Sequence, residues 1–334
     1  MAVSVKDVAR AAGVSVGTVS NVLNRPDRVA PETADRVHAA IDRLGFVRND
    51  AARQLRAGHS RSIGLIVLDS ANPFFADVAR GASERAQSRG LSVLIGSSDG
   101  DAEREAAYLD LFTEQRVNGV LLTPHRLDPA RADELAGSGV PLVLLDAEVD
   151  AGSLPSVAVD DVEGGFLAVA HLLAQGRRRL VFAGGPLSIT QVADRLEGAR
   201  RALAEVPDAS LEVIETPDLT VLAGRAVGGR IAERQAEERP DGIFCANDLL
   251  AVGVLQGAGI LGSLRVPDDI ALIGYDDIDF AEAAVVPLSS VRQPARAIGV
   301  AAVDALFAHI DDPSSEPVRI RYRPELIARA STGA

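Results

Sequence analysis

The sequence predicts an α/β chain, with an N-terminal helix-turn-helix headpiece followed by two doubly wound parallel-sheet lobes. Three observations carry that expectation. Apolar residues recur at helical spacing through the first 45 residues, punctuated by glycine and proline. From Arg61 onward, short continuous apolar runs alternate with amphipathic helices, the pattern of parallel sheets covered on both faces. The alternation comes in two successive runs, so two lobes are expected, with ligands held at the carboxyl ends of the strands.

In the headpiece, Ser4-Val5-Lys6-Asp7 has the form of a capping box, and Val5, Val8, Ala9 and Ala12 share one helical face up to Gly13. Ser15 caps a second helix carrying Val16, Val19, Val22 and Leu23, closed near Asn24-Arg25-Pro26. Pro31 opens a third, with Ala34, Val37, Ile41 and Leu44 turned inward and Gly45 as its stop. Two helices joined by a short turn centred on glycine make a helix-turn-helix. Its second helix presents Val16, Gly17, Ser20 and Asn21 outward, with Ser15 and Thr18 placed to bond phosphates. Asn pairs bidentately with adenine in the major groove, and Val16 suits a thymine methyl.

In the body, the first run reads as strand Ile63–Leu68, helix Phe74–Arg89, strand Leu91–Ile95, helix Ala102–Gln115, strand Gly119–Leu122, helix Pro129–Ala136 and strand Leu142–Leu145. The second alternates strands Ser156–Val159, Leu180–Phe182, Leu211–Ile214, Gly242–Phe244 and Ala271–Gly274 with helices Val162–Gln175, Val192–Ala204, Leu222–Ala236 and Leu249–Gln256. Segments Val291–His309 and Val318–Leu326 then return to complete lobes already begun. The expected division is 1–47 for the headpiece, 48–60 for a hinge helix and linker, and 61–334 for the body. One lobe takes about 61–160 and 291–322, the other about 161–290 and 323–330. The hinge stretch spans barely two turns, too short to be a stable helix by itself in water. It is expected to fold only when something holds it.

Composition narrows the class. The chain has 334 residues, 47% hydrophobic and 24% charged, so it is a globular rather than a disordered chain. A single cysteine excludes a disulfide scaffold. No apolar run approaches the ~18 residues of a membrane span, and no signal-peptide core is present, so a soluble cytoplasmic protein is expected. The net charge of −13 is unevenly spread: residues 1–61 hold 10 Lys and Arg against 6 Asp and Glu, a net +4, which leaves −17 on residues 62–334. A basic end on an acidic body confines affinity for a polyanion to that end.

Two enzyme-like motifs fail on context. Gly257-Ala258-Gly259-Ile260-Leu261-Gly262 fits G-x-G-x-x-G but follows a helix rather than a strand, and is expected to be a loop. Gly96-Ser97-Ser98-Asp99-Gly100 fits G-x-S-x-G, yet the only late histidine, His309, lies inside an amphipathic helical pattern and no oxyanion loop is present. The histidines show no metal-ligand spacing, so no metal or other cofactor is expected. The strand ends say more. Asn72, Phe74 and Phe75, Asp146, Asn247 and Asp276 follow successive strands, and Arg195 lies early in a helix. Amide, carboxylate and guanidinium groups beside aromatic faces suit a polyol. Asp160 and Asp248 are read as helix caps.

The chain resembles the LacI family of transcription regulators over essentially its whole length. The resemblance rests on Val5-Lys6-Asp7-Val8-Ala9, Ala12-Gly13-Val14-Ser15, Thr18-Val19-Ser20-Asn21-Val22-Leu23-Asn24 and Leu44-Gly45-Phe46. It continues through Asn49, Ala52-Arg53-Gln54-Leu55, Ile63-Gly64-Leu65-Ile66, Asn72-Pro73-Phe74-Phe75, Gly119-Val120-Leu121-Leu122, Ala246-Asn247-Asp248 and Ile273-Gly274-Tyr275-Asp276. The body is similar to periplasmic sugar-binding proteins at Asn72, Phe74, Phe75, Asp146, Arg195, Asn247, Asp276 and Gln293. The resemblance implies a repressor that binds a palindromic double-stranded DNA operator as a homodimer, with no membrane partner and an effector between the lobes. It extends DNA contact from Ser15, Val16, Gly17, Thr18, Ser20 and Asn21 to the hinge positions Asn49, Ala52 and Leu55. Leu55 matches a side chain wedged between base pairs.

Departures from the family shape the expected effector and operator. Asn21 stands where many members carry Arg, which implies a different base pair in the operator. Arg48 and Phe46 replace a common Pro and Tyr near the hinge. Ala147 follows Asp146 where ribose-type sites carry Arg, and Ile189 replaces a purine-contacting Arg. The chain ends without the leucine-heptad tail of tetrameric members, so a dimer is expected. The expected effector is a small carbohydrate, with a nucleoside as the alternative. From other classes, a cytoplasmic sugar-binding receptor and a serine hydrolase acting through Ser98 are the rivals.

Overall fold

The computed structural model describes residues 3–46, 60–147, 154–262 and 264–333. The expected hinge helix, with Asn49, Ala52 and Leu55, lies outside the described residues. The chain divides into two compact units, Met1–Ser60 and Arg61–Ala334.

In the headpiece, α1 (Val5–Ala12) is entered through a complete capping box: the Ser4 hydroxyl accepts from the Asp7 N–H, and the Asp7 carboxylate accepts from the Ser4 N–H. It ends at Gly13, whose left-handed φ of 67° suits a residue without Cβ. The second helix, α2 (Val16–Asn24), is capped by Ser15, and α3 (Pro31–Leu44) starts with proline in its first turn. Val8, Ala9, Val19, Val22, Val37 and Ala40 close into a small core at the periodic positions. A short 3-10 turn, Pro26–Arg28, links the second and third helices.

The body begins with β1 (Ser62–Val67), α4 (Pro73–Ser88), β2 (Ser92–Ser97), α5 (Ala102–Glu114), β3 (Val120–Leu122), α6 (Pro129–Ala136), β4 (Leu142–Leu145) and β5 (Ser156–Val159). It continues through α7 (Asp161–Ala174), β6 (Arg179–Ala183), α8 (Thr190–Ala204), β7 (Ser210–Ile214), α9 (Val221–Ala232), β8 (Gly242–Cys245), α10 (Asp248–Val254) and β9 (Ala271–Asp276). The last elements are α11 (Asp279–Ala283), β10 (Ser289–Arg292), α12 (Ala295–Asp311), β11 (Arg319–Tyr322) and β12 (Glu325–Ile327). Two six-stranded sheets result, ordered β11-β5-β4-β3-β1-β2 and β12-β10-β9-β8-β6-β7. All described pairings are parallel except that of β10 with β12. The central strands read Leu65, Leu121 and Val143 in one sheet, and Val181, Ile243 and Ile273 in the other, all fully buried. Each such side chain removed from water contributes about 1.5–3 kcal/mol.

The chain crosses between lobes after β5, after β10 and after β11. The first returning segment divides more finely than the sequence pattern indicates. Residues 289–292 form β10 in the second sheet, whereas α12 packs on α4 of the first lobe. The final apolar stretch is two strands, one in each sheet, separated at Arg323-Pro324, where proline cannot donate to a ladder. The expected loop at 257–262 is corrected: α10 runs directly into a π-helical turn, Leu255–Ile260. The glycine there serves close packing, since a Cβ on Gly257 would collide with the Arg225 carbonyl oxygen of α9. The short helix α11 has too few residues to show a period. Among the described residues, no helix is long and apolar enough to cross a membrane.

Candidate functional site

The carboxyl ends of both sheets face one cavity of about 630 Å³. Seven of the eight residues singled out from the sequence for this cleft line it: Asn72, Phe74, Phe75, Asp146, Arg195, Asn247 and Asp276. The eighth, Gln293, is buried behind Asp276 and donates to its carboxylate at 2.8 Å.

Arg195 is the centre of the cluster. It projects from the first turns of α8 and is 5% exposed. Its Nε donates to Asp161 Oδ1 at 2.7 Å, and one Nη donates to the Ala246 carbonyl at 2.7 Å. The guanidinium lies 3.7 Å from the centroid of the Tyr275 ring and 3.9 Å from Asp276. Helix α7 is shaped for this arrangement. A Cβ on Gly164 would collide with the Tyr275 hydroxyl, and one on Gly165 would collide with the Arg195 carbonyl oxygen. The two glycines allow the ring and the α8 backbone to approach, while Asp161, one turn earlier, holds the charge.

Asp276 accepts from two amides, Asn72 Nδ2 at 3.0 Å from the first lobe and Gln293. Asn72 also caps α4 by accepting from the Phe74 N–H, and thereby fixes the Phe74–Phe75 pair, whose rings meet edge to face at 5.1 Å. From the second lobe, Gln191 Nε2 donates to the carbonyl of Asp146. Two hydrogen bonds therefore cross between the lobes, Asn72 to Asp276 and Gln191 to the Asp146 carbonyl. Among the described residues, Asp146 Oδ1 and Gln191 Oε1 are buried acceptors with no partner.

The electrostatics follow from burial and crowding. Burial, with Asp161 and Asp276 nearby, pushes the Asp146 carboxyl well above the usual range against the pull of Arg195. Asp276 is also raised by burial, offset by Arg195, Asn72 and Gln293. Burial opposes the charge on Arg195, but Asp161, Tyr275, Asp276 and Asp146 together hold its pKa above the ordinary value. Half-buried Asp194, the neighbour of Arg195, is raised to about 6 by burial and by Asp161, with Arg195 and Arg321 opposing. The cluster thus sets several buried carboxyls and amides around a single guanidinium that is already engaged.

The two acids expected as helix caps behave differently. Asp160 caps α7 by accepting from the Glu163 N–H. Asp248 is not the cap of α10; Asn247 is, accepting from the Leu250 N–H while its amide donates to the Leu219 carbonyl. Fully buried Asp248 instead takes the Ile278 N–H at 2.9 Å and the Ser290 hydroxyl at 2.7 Å, fixing the turn that follows Asp276. Sequence reasoning does not single out Asp161, Tyr275, Gln191 or Asp248 as site residues. The one local signal among them is the second acid of Asp160-Asp161 ahead of Gly164-Gly165.

In the headpiece, Ser15, Val16, Gly17 and Asn21 are exposed on α2, and Val16 keeps 42% of its surface. The Ser15 and Thr18 hydroxyls lie 2.9 Å apart at the helix N-terminus, where backbone N–H groups favour an anion. Ser20 is half-buried beside them.

Comparison with known proteins matches both parts of this architecture. Residues 4–49 match the family described as "Bacterial regulatory proteins, lacI family", and residues 169–332 match "Periplasmic binding protein-like domain". The chain is 33% identical over 331 residues to the "HTH-type transcriptional repressor PurR" of Photobacterium profundum, covering 98% of each protein. The chain belongs to the LacI family. It is also 35% identical to the "Ribose operon repressor" of Escherichia coli (strain K12), over 98% of this chain and 99% of that one. The lac repressor dimer bound to operator and the anti-inducer ONPF is similar in structure, with TM-score 0.85, 28% identity and full coverage of both chains. A complex of the transcriptional regulator CelR with cellobiose is similar at TM-score 0.71 and 30% identity, covering 98% of this chain and 99% of that one.

This LacI-family member is a DNA-binding transcriptional repressor and not an enzyme. Ser98 is fully buried and its hydroxyl donates to the Val67 carbonyl at 3.3 Å, unlike an exposed nucleophile.

Proposed function

We propose that this repressor binds a palindromic operator as a homodimer, and that a small carbohydrate in the interlobe cavity sets its operator affinity. The observation that carries the effector reading is the buried Asp146–Arg195–Asp276 cluster beside the Phe74–Phe75 rings. Carboxylates and amides crowded around one engaged guanidinium leave acceptors for hydroxyl donors, and an aromatic face suits a sugar ring. The named ligand of the CelR complex and the regulated operon of the ribose repressor lean the same way. Ile189, apolar on the cavity wall, gives a purine no cation to bind.

The dimer reading draws on exposed apolar side chains. Strand β2 lies at the edge of its sheet and leaves Ile95 52% exposed; in the other lobe Leu222, Leu261 and Phe280 stand out. Apolar surface of this kind is what a second copy would cover. Recognition falls to Ser15, Val16, Gly17, Thr18, Ser20 and Asn21. The hinge residues Asn49, Ala52 and Leu55 take their role from the family resemblance. A repressor that acts on operator DNA has the cytoplasm as its site of action. The effector works only through its differential affinity for two lobe orientations.

Thermal unfolding of the full chain against a panel of sugars, sugar phosphates, nucleosides and purines tests the effector. A bound ligand at ~100 times its Kd adds about 2.7 kcal/mol. A carbohydrate should raise the Tm of the wild type and not that of Asp276→Ala. A shift from a nucleoside or purine alone would replace the carbohydrate reading.

A further inference from the structure

The cavity wall is one-sided in charge. Five aspartates line it, Asp69, Asp99, Asp146, Asp218 and Asp276, and among the described residues Arg195 is the only Lys or Arg to do so. Asp99 is paired with Arg104 at 2.5 Å. Arg195 gives its Nε to Asp161 at 2.7 Å and approaches Asp276 only to 3.9 Å. Asp69, Asp146 and Asp218 have no ion pair among the described residues. Neutral donors hold two of them: Asp69 accepts from the Ala71 N–H at 2.8 Å and Asp218 from the Thr220 hydroxyl at 2.6 Å. A cleft of one sign between low-dielectric walls focuses its field and concentrates groups of the opposite charge.

Two buried atoms give that field a place to act. Asp146 is 5% exposed and Gln191 4%, and both line the cavity. Asp146 Oδ1 and Gln191 Oε1 lack a partner among the described residues. The two residues are also tied together, since Gln191 Nε2 donates to the Asp146 carbonyl. A buried acceptor left unpaired is costly, and more so when it is charged. Burial, with Asp161 and Asp276 nearby, raises the Asp146 carboxyl against the pull of Arg195. A cation beside Oδ1 would let it ionise.

The chemistry of the missing group follows. The ammonium of a primary amine brings a positive charge, three donors and no acceptor. A hydroxyl brings one donor and lone pairs that need donors in turn. On this wall the amides of Asn72, Gln191 and Asn247 already donate to protein oxygens. The Phe74 and Phe75 rings suit a cation as well, because an aromatic face attracts one. A phosphate would instead meet the aspartates, with Arg195 already committed to Asp161 and the Ala246 carbonyl.

We infer that the effector is an amino sugar, whose protonated amine is received by Asp146 Oδ1 and Gln191 Oε1. This rests on the carbohydrate reading of the cavity and adds to it the charge of the ligand. The amine, rather than the ring, then selects the ligand, and Asp146 is the residue that determines specificity.

Calorimetric titration of the full chain tests this with glucose, galactose and mannose, their amino-sugar counterparts and the N-acetylated form of each. Sugar phosphates, putrescine and nucleosides complete the panel. The best amino sugar should bind about tenfold or more tighter than both its neutral parent and its N-acetylated form, because a charge-assisted hydrogen bond is roughly twice as strong as a neutral one. Asp146→Asn keeps the shape and removes the charge, and should bring that ratio close to unity. A merely structural role for Asp146 would weaken all three sugars together and leave the ratio unmoved. If Asp146→Asn fails to fold, Gln191→Met, which removes Oε1, should lower the ratio severalfold. A neutral or N-acetylated sugar as tight as any amine, a ratio unmoved by these substitutions, or a preferred sugar phosphate overturns the inference and leaves the carbohydrate reading standing. Binding of putrescine or nucleosides alone overturns both.

Discussion

The headpiece and the cleft solve opposite problems. On α2 the candidate base-reading side chains Val16 and Asn21 stand exposed, and the core beneath them consists of buried valines and alanines. In the cleft the proposed effector-binding side chains are themselves interior residues: Arg195, Asp146, Asp276 and Asn72 are buried, and Asp276 links Asn72 to Arg195. Recognition and stability are therefore separable in the headpiece and fused in the cleft. A base-reading residue can change without cost to the fold, but a change in the cleft leaves a buried partner uncompensated.

The largest effect expected from this contrast is at Arg195. Arg195→Ala leaves Asp161, Asp146 and Asp276 crowded without their cation, and removing one member of a buried pair costs about 3–5 kcal/mol. Denaturant unfolding should show a loss of that order, together with loss of any effector response. A variant as stable as the wild type would break the claim that site and core are fused.

The matching change in the headpiece should be smaller and of another kind. Asn21→Ala removes a candidate base contact, worth about 1–3 kcal/mol of operator discrimination, from an exposed position where stability changes stay within roughly ±0.5 kcal/mol. Operator titration and thermal unfolding of the same preparation check both halves. A fall in Tm comparable to that of Arg195→Ala would contradict the separation.

The smallest effect sharpens the boundary of the cleft. Asp194 is raised to about 6, so the folded state holds its proton more tightly than the unfolded chain does. Its contribution is complete below the ordinary carboxylate range and is lost as pH rises through about 6. Asp194→Asn keeps an uncharged side chain there and should remove that loss, making the variant the more stable above neutral pH by under ~1 kcal/mol, since the group is only half-buried. Melting at pH 5 and pH 8 should show the gap between variant and wild type opening at the higher pH. An equal gap at both would assign the effect to something other than this proton.

The same contrast explains what could be read from residues alone. Caps, stops and helical periods are local, so Ser4, Gly13, Ser15 and Pro31 are legible where they stand. The strand-end residues Asn72, Asp146 and Asp276 are legible because the alternating pattern fixes where strands finish. The partners of Arg195 are not, because Asp161 and Tyr275 reach it from other elements of the fold. Asn247 and Asp248 are adjacent and alike in chemistry, and only the register of α10 decides that Asn247 caps while Asp248 turns inward to Ser290. The glycines of 257–262 look like loop residues until α9 is seen packing on them.

The occupied cleft is expected to govern the headpiece. The direct measurement is the affinity of the full chain for an operator selected from random duplexes, with and without a saturating carbohydrate that stabilises the protein. The expected result is a change in operator Kd of about 5–150-fold, a coupling of about 1–3 kcal/mol, that is absent in Asp276→Ala. An operator Kd that stays the same when the wild-type cleft is saturated would contradict it.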